Sequence, residues 1–300
     1  MSISVTNISK SYNGTKALQD ISFEVSDGEL FGLIGPDGAG KTTLFRILTT
    51  LLIADQGNAT VAGLDVLADY KMIRKCVGYM PGKFSLYQDL TVEENLKFFA
   101  TIFGTTIKEN YDLIKEIYVQ IEPFKTRRAG QLSGGMKQKL ALSCALIHKP
   151  KVLFLDEPTT GVDPVSRKEF WEMLKRLQDK GITILVSTPY MDEAALCDRI
   201  ALIKDGYILE IDTPEVIVKR YPKAIYNVKA NNMYLLIQAL KAYEHQHSVY
   251  PFGEFVHYTD QRNEFNIEEL EQFLKAQKLS EITINQTQPT IEDSFMELAK

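Results

Sequence analysis

Short apolar runs and longer amphipathic stretches alternate through the first two-thirds of this chain. Leu30-Phe31-Gly32-Leu33-Ile34, Val152-Leu153-Phe154-Leu155 and Ile182-Thr183-Ile184-Leu185-Val186 are apolar on both faces. Such runs predict strands buried in the middle of a parallel sheet. The stretches between them have helical spacing, and strands alternating with helices around one sheet make an α/β protein. A β-rich lead-in comes first, with strands over residues 3–8 and 17–25 and turn signals at Asn13-Gly14 and Asp27-Gly28. Residues 42–50 read as a helix, 60–63 and 76–80 as short strands, and Pro81-Gly82-Lys83 as a breaker. Thr91-Val92-Glu93-Glu94 is a capping box opening a helix to about residue 103. Residues 91–128 keep helical periodicity, so a helical subdomain is expected over about 83–135. Another helix opens at Leu132-Ser133-Gly134-Gly135 and runs toward His148, and one is expected from Met191, after Pro189. Asp205-Gly206 between two apolar runs predicts a hairpin.

The pattern changes near residue 222. Strand-like 224–228, helical 233–244, strand-like 254–258, helical 267–277 and strand-like 281–284 read as a βαβαβ module over 223–300. Pro289-Thr290-Ile291-Glu292-Asp293 opens a terminal helix. This small C-terminal α+β module has no catalytic constellation. It is expected to serve a regulatory or interfacial role beside the main domain of residues 1–222.

Composition narrows the partners. The chain has 300 residues, 45% hydrophobic, with a net charge of −5. A sizeable core is available, and nothing in the charge points to nucleic acid or anionic lipid. Lys125-Thr126-Arg127-Arg128, the densest basic cluster, reads as a solvated loop. Cys76, Cys144 and Cys197 are odd in number and far apart, which suits a reducing compartment rather than a disulfide framework. The four histidines have no metal-ligand spacing. No secretory leader and no apolar run of spanning length is expected, so any membrane role runs through a partner.

The chemistry centres on Gly35-Pro36-Asp37-Gly38-Ala39-Gly40-Lys41-Thr42-Thr43, a G-x-x-x-x-G-K-T loop between a strand and a helix. Its backbone N–H groups and the helix N-terminus can cradle phosphate, with Lys41 on the β- and γ-phosphates and Thr42 on Mg²⁺. Asp156 and Glu157 end a buried strand, where α/β sheets bind ligands. Asp156 is the candidate Mg²⁺ ligand, and Glu157 the group that orients or deprotonates water. Ser133 and Gly135 begin a helix and offer a second anion-facing terminus. Tyr12, just before a turn, can stack on a base, and on local grounds it reads nearly as well as a structural tyrosine.

Taken in order, the phosphate loop, Leu132-Ser133-Gly134-Gly135-Met136 and the Asp156-Glu157 strand resemble an ABC transporter nucleotide-binding subunit, a class of P-loop NTPase. Gly161-Val162-Asp163-Pro164 resembles that family's D-loop, and Tyr12 falls where its adenine-stacking aromatic does. The resemblance covers residues 1 to about 220. The tail from Pro289 to Leu298, the Pro36-Asp37 variant and Gly78-Tyr79-Met80-Pro81 resemble subunits of type-2, multidrug-efflux-like exporters. The resemblance implies ATP and Mg²⁺ as ligands and integral membrane permeases as partners. It implies a second ATPase subunit closing head to tail, and a cytoplasmic place at the inner face of the membrane. Lys41, Thr42, Asp156 and Glu157 would hold ATP on one face, while Ser133 and Gly135 would reach the partner's γ-phosphate.

Two positions depart from the family pattern. Gly82 stands where a Gln usually contacts Mg²⁺ and the attacking water, and Pro189 where a His usually meets the γ-phosphate. Gln88 and Tyr190 are close by but out of register. Losing one positioned polar group typically costs about 10²–10³ in rate, which implies slow turnover at the Lys41 site. The survival of the Ser133-Gly135 signature without those two groups favours pairing with a different, complete subunit over a homodimer. A non-hydrolysing ATP-dependent regulator or scaffold is the alternative. A soluble ATPase acting on ribosomes or DNA is a further one, without the second ATPase domain or coiled-coil insertion it would call for.

Overall fold

The computed structural model describes residues 1–83 and 85–300; Phe84, inside the expected helical subdomain, lies outside them. The chain separates into two compact units, Met1–Glu215 and Val216–Leu298.

The first unit opens with β1 (Ile3–Tyr12) and β2 (Thr15–Val25), an antiparallel hairpin. Asn13 and Gly14 both take positive φ, as a tight two-residue turn between right-twisting strands requires. Next come β3 (Leu30–Ile34), α1 (Lys41–Leu48), β4 (Gln56–Val61), β5 (Leu64–Asp65), α2 (Tyr70–Cys76) and β6 (Val77–Met80). The helical part holds α3 (Val92–Ile102), α4 (Tyr111–Tyr118) and α5 (Gly134–Leu146). The core resumes with β7 (Val152–Asp156), α6 (Pro164–Asp179), β8 (Thr183–Thr188), β9 (Arg199–Lys204) and β10 (Tyr207–Asp212), followed by α7 (Pro214–Lys219).

Two sheets result. One is antiparallel, in the order β2-β1-β4-β5. The other has the order β10-β9-β3-β8-β7-β6, with all but β10 parallel. Every residue of β3, β7 and β8 is buried, as their continuous apolar character predicts. Leu44, Phe45, Ile47 and Leu48 of α1 join a core drawn from both sheets, with Phe45 edge-on to Phe154 at 5.9 Å. Each such side chain stabilises the fold by roughly 1.5–3 kcal/mol. The loop before α1 is thereby anchored at both ends in the buried core.

Several elements differ from the sequence reading. Cys76 closes α2 rather than opening a strand, and the strand expected at 60–63 is β4, starting at Gln56. The helix expected from Met191 is a 3-10 stretch, Met191–Leu196. Helix α6 carries its apolar stripe on Phe170, Trp171, Leu174 and Leu177. Capping at Thr91 follows the expected box, with Glu94 returning a bond to the Thr91 N–H.

The second unit is not βαβαβ. Its order is β11 (Ile225–Lys229), α8 (Met233–Ala242), β12 (Gln246–Phe252), β13 (Phe255–Asp260), α9 (Ile267–Ala276), β14 (Thr283–Thr287) and α10 (Ile291–Leu298). The additional strand, β12, contains Pro251 and lies at the edge of the sheet β12-β13-β11-β14. An edge strand tolerates proline because one side of its ladder goes unpaired, and that proline hides the strand from a propensity reading. Leu236, Leu240, Leu270 and Leu274 of α8 and α9 pack with Val228, Val256 and Tyr258 of the sheet. Helix α10 is tied through one buried and one half-buried polar pair. His257 Nδ1 meets Asp293 Oδ1 at 2.7 Å, and His247 Nε2 meets Glu297 Oε1 at 3.0 Å. Asp293 also closes a cap on α10, accepting from the N–H and hydroxyl of Thr290.

Candidate functional site

Three strand ends converge because of the register of the parallel sheet. Ile34 of β3 pairs with Thr188 of β8, and Ser187 of β8 pairs with Asp156 of β7. The phosphate loop after β3 and the carboxylates after β7 therefore flank the end of β8.

The loop itself is tightly fixed. Gly35 and Ala39 are buried, while Pro36, Asp37 and Gly38 face outward. A side chain at Gly35 would run into the Ile203 carbonyl at 2.1 Å. Gly40 has φ +103°, and a Cβ there would meet the Ala17 carbonyl at 2.3 Å, so both positions require glycine. The Gly35 N–H donates to the Thr188 carbonyl and the Gly206 N–H to the Ala39 carbonyl. Lys41 is 3% exposed at the start of α1. Its ammonium donates to the Gly35 carbonyl at 2.8 Å and the Pro36 carbonyl at 2.9 Å. Glu157 Oε1 lies 3.1 Å from the same ammonium. Thr42 and Thr43 follow, half-buried in the first turn of α1.

Asp156 is 2% exposed and accepts from Ser187 Oγ at 2.7 Å. Burial, with the charge of Asp156 next in weight, pushes the neighbouring Tyr79 hydroxyl up to about 12. Glu157 adopts φ 50°, a left-handed conformation uncommon outside glycine. Its N–H is held by the Ser187 carbonyl and hydroxyl, both at 3.0 Å, which fixes the side chain toward Lys41. Among the described residues no cluster of three or more His, Cys, Asp and Glu could hold a metal. Asp156 with a hydroxyl such as Thr42 is a sparse, all-oxygen set. That suits Mg²⁺, which keeps waters and phosphate oxygens around one or two carboxylates.

The other predicted residues lie around this centre. Tyr12 is 43% exposed and pairs with Thr15 at the end of the hairpin whose Ala17 touches Gly40. Ser133 caps α5, accepting from the Met136 N–H at 3.4 Å. The neighbours of the Ser133-Gly134-Gly135 turn are Gly161, 3.7 Å from a Cβ at Gly134, and Ser166, 2.8 Å from one at Gly135. Gly82 stands directly beside the carboxylates, 3.0 Å from the Asp156 carbonyl when a Cβ is added. Pro189 follows Thr188 at the end of β8. Gln88 instead bonds the Gly130 N–H, and Tyr190 lies 4.2 Å under the Arg167 guanidinium. A cavity of about 420 Å³ opens next to Gly82 and Glu157, walled by Tyr79, Phe99, Phe103 and His148.

One group escapes a reading by motif. Glu193 is 2% exposed, and its carboxylate accepts from Thr188, Thr159 and Arg167. Asp192 and Glu193 stand together after Tyr190, and nothing local marks the second as the buried one, since its partners Thr159 and Arg167 are distant in sequence.

The family profile described as ABC transporter matches residues 18–160. The probable multidrug ABC transporter ATP-binding protein YbhF of Escherichia coli (strain K12) is 38% identical over 304 residues, covering 99% of this chain and 52% of that protein. The chain thus spans about half the length of this relative. The Nod factor export ATP-binding protein I of Rhizobium sp. (strain N33) is 38% identical over 224 residues, 74% of each chain. A solved structure described as the dimeric post-hydrolysis state of the ATP-binding cassette MJ0796 bound to ADP and Pi superimposes with a TM-score of 0.64. It is 25% identical and covers 70% of this chain and 98% of its own. Among the described residues no helix is long and apolar enough to cross a membrane.

Proposed function

The chain belongs to the ABC transporter family, and on that premise we propose that it is the ATP-binding subunit of an exporter, working with membrane permeases at the inner face of the membrane. The observation that carries the reading is Lys41, buried between the Gly35 and Pro36 carbonyls and the Glu157 carboxylate, at the convergence of β3, β8 and β7. The ammonium already sits among three oxygens, and incoming phosphate oxygens replace the Glu157 contact. Freed from that ion pair, Glu157 can accept a proton from an attacking water. Thr42 and Asp156 would hold Mg²⁺, which supplies positive charge against the phosphates. The N–H groups of Gly38 to Thr43 and the N-terminus of α1 bind the phosphate oxygens, and Tyr12 stacks on the adenine.

Ser133 and Gly135 serve the ATP of a second subunit, a role supported by their placement on their own helix start beside Gly161 and Ser166. At the Lys41 site, Gly82 and Pro189 put no polar side chain where the family carries Gln and His. Turnover there is slow, and the subunit pairs preferentially with a complete relative whose site this chain's signature completes. Those same two positions favour the second reading, a non-hydrolysing ATP-dependent regulator.

Affinity purification from membranes, with identification of the co-purifying chains, tests the exporter reading. Recovery of an ATPase partner and an integral membrane protein supports it, and recovery of neither contradicts it. Steady-state assays test the site. Gly82→Gln with Pro189→His raises the hydrolysis rate at least tenfold, about 1.4 kcal/mol of barrier. The Cβ at position 82 fits once the Asp156 carbonyl yields a few tenths of an ångström. Fast turnover by the unmodified chain would show that another residue already fills those roles.

A further inference from the structure

We propose that Glu193 is a positioning residue for ATP hydrolysis, its buried carboxylate fixing the end of β8, the loop after Glu157 and the start of α6 as one frame around the phosphate site. The inference rests on the ATP-hydrolysing reading above.

Glu193 Oε2 accepts from Thr188 Oγ1 at 2.5 Å and from Thr159 Oγ1 at 3.0 Å. Its other oxygen accepts from Arg167 Nε at 3.1 Å and pairs with the same guanidinium at 3.0 Å. Thr188 and Thr159 are fully buried, so neither hydroxyl has water as an alternative partner. A buried carboxylate is retained at a cost unless it is paired and hydrogen-bonded, and this one is both.

Each partner leads to a different part of the site. Thr188 gives its carbonyl to the Gly35 N–H, at the lip of the phosphate loop, and its hydroxyl also accepts from the Tyr190 N–H. Thr159 is two residues after Glu157 and takes the Val162 N–H on its carbonyl, turning the chain toward α6. Arg167 lies one residue beyond Ser166, the neighbour of Gly135 in the signature, and it also stacks on Tyr190. Glu193 itself is clipped back by its N–H to the Tyr190 carbonyl. Pro189 offers no side-chain donor and the Thr188 hydroxyl is committed to Glu193, so what these two residues present toward the phosphate loop is backbone, and its placement depends on what holds it. Glu193 holds it, without touching the nucleotide.

A glutamine is the same size but has one acceptor oxygen and one donor amide in place of two acceptors. It cannot take all three donors, and the frame loosens while the phosphate loop stays intact. Displacement of about 1 Å around a reacting centre is enough for a large rate loss.

Single-turnover hydrolysis of radiolabelled ATP by the full chain in excess, beside ATP titration and thermal unfolding, tests this. Glu193→Gln and Thr159→Val each lower the rate at least tenfold, with the ATP Kd within threefold of the parent. Thr188→Val behaves likewise, and Thr188→Ser, which keeps the hydroxyl, stays within twofold. Unchanged rates in folded Glu193→Gln and Thr159→Val would overturn the proposal. So would rate, affinity and unfolding midpoint falling together, the mark of a merely structural group. A parent that binds ATP but never turns it over would overturn it while leaving the nucleotide-binding reading intact. A parent that does not bind ATP would instead bring down that reading.

Discussion

Lys41→Ala lowers the affinity for Mg-ATP at least a hundredfold, about 2.7 kcal/mol. Two effects add. The variant loses a charge-assisted contact to the β- and γ-phosphates, among the stronger hydrogen bonds available to a protein. It also leaves the Gly35 and Pro36 carbonyls and the Glu157 carboxylate without the cation that now separates them. Three oxygens then face the incoming polyphosphate, and the loop repels what it should attract. Titration with a fluorescent ATP analogue measures the loss. Lys275→Ala, an exposed cation of the second unit, leaves affinity unchanged. Equal binding by Lys41→Ala and the parent would remove this loop as the nucleotide site.

Asp293→Ala destabilises the second unit by about 3 kcal/mol, the cost of breaking a buried pair by removing one member. Both side chains of the Asp293–His257 pair are 5% exposed, and the variant also opens the Thr290 cap of α10. The same pair sets a pH dependence. Burial works to raise the Asp293 carboxyl, but hydrogen bonds from His257 and Thr290 outweigh it and hold the group below the usual carboxylate range. A carboxyl lowered in the folded state contributes stability that is fully present above its unfolded value, about 3.9. That contribution disappears as pH falls through the folded value. Protection of the β13 and α10 amides, taken relative to the intrinsic exchange rate at each pH, should therefore fall below about pH 4 in the parent. In Asp293→Asn this loss of protection is smaller over the same range, with the lowered Glu297 carboxyl of the same helix still contributing. The single tryptophan, Trp171, lies in the first unit and does not report this event, so amide exchange is the suitable probe. A parent whose α10 amides keep the same protection, relative to the intrinsic exchange rate, at pH 3 and pH 7 would refute the linkage.

The parts of the fold legible in the sequence are those where one physical requirement dominates a few consecutive residues. Strands β3, β7 and β8 are apolar on both faces, and Gly35 and Gly40 of the phosphate loop are demanded by close backbone approach. The Thr91 capping box is equally local. Legibility fails where the decision is made by a partner far away. Strand β12 exists because β13 offers it an edge, overriding Pro251. Cys76 and Val77 divide helix from strand because Val77 pairs with Val152. The 3-10 stretch after Tyr190 ends short of a helix because Asp198, two residues beyond it, gives its N–H to the Leu30 carbonyl and starts β9. Glu193 joins residues 5, 26 and 34 positions away, and no window of sequence contains that relation.

The ammonium of Lys41, held between loop carbonyls and a carboxylate, has a kinetic consequence. An empty Gly-rich loop would otherwise sample many shapes, and a ligand would have to wait for the right one. Here the internal cation acts as a mould. The ordering entropy of the loop is spent during folding, not at encounter. With this loop as the nucleotide site, capture would proceed without reordering the loop, and the slow step would shift to departure, where phosphate hands the lysine back to Glu157. Residence time, more than arrival rate, becomes the quantity that sequence changes around Glu157 would tune.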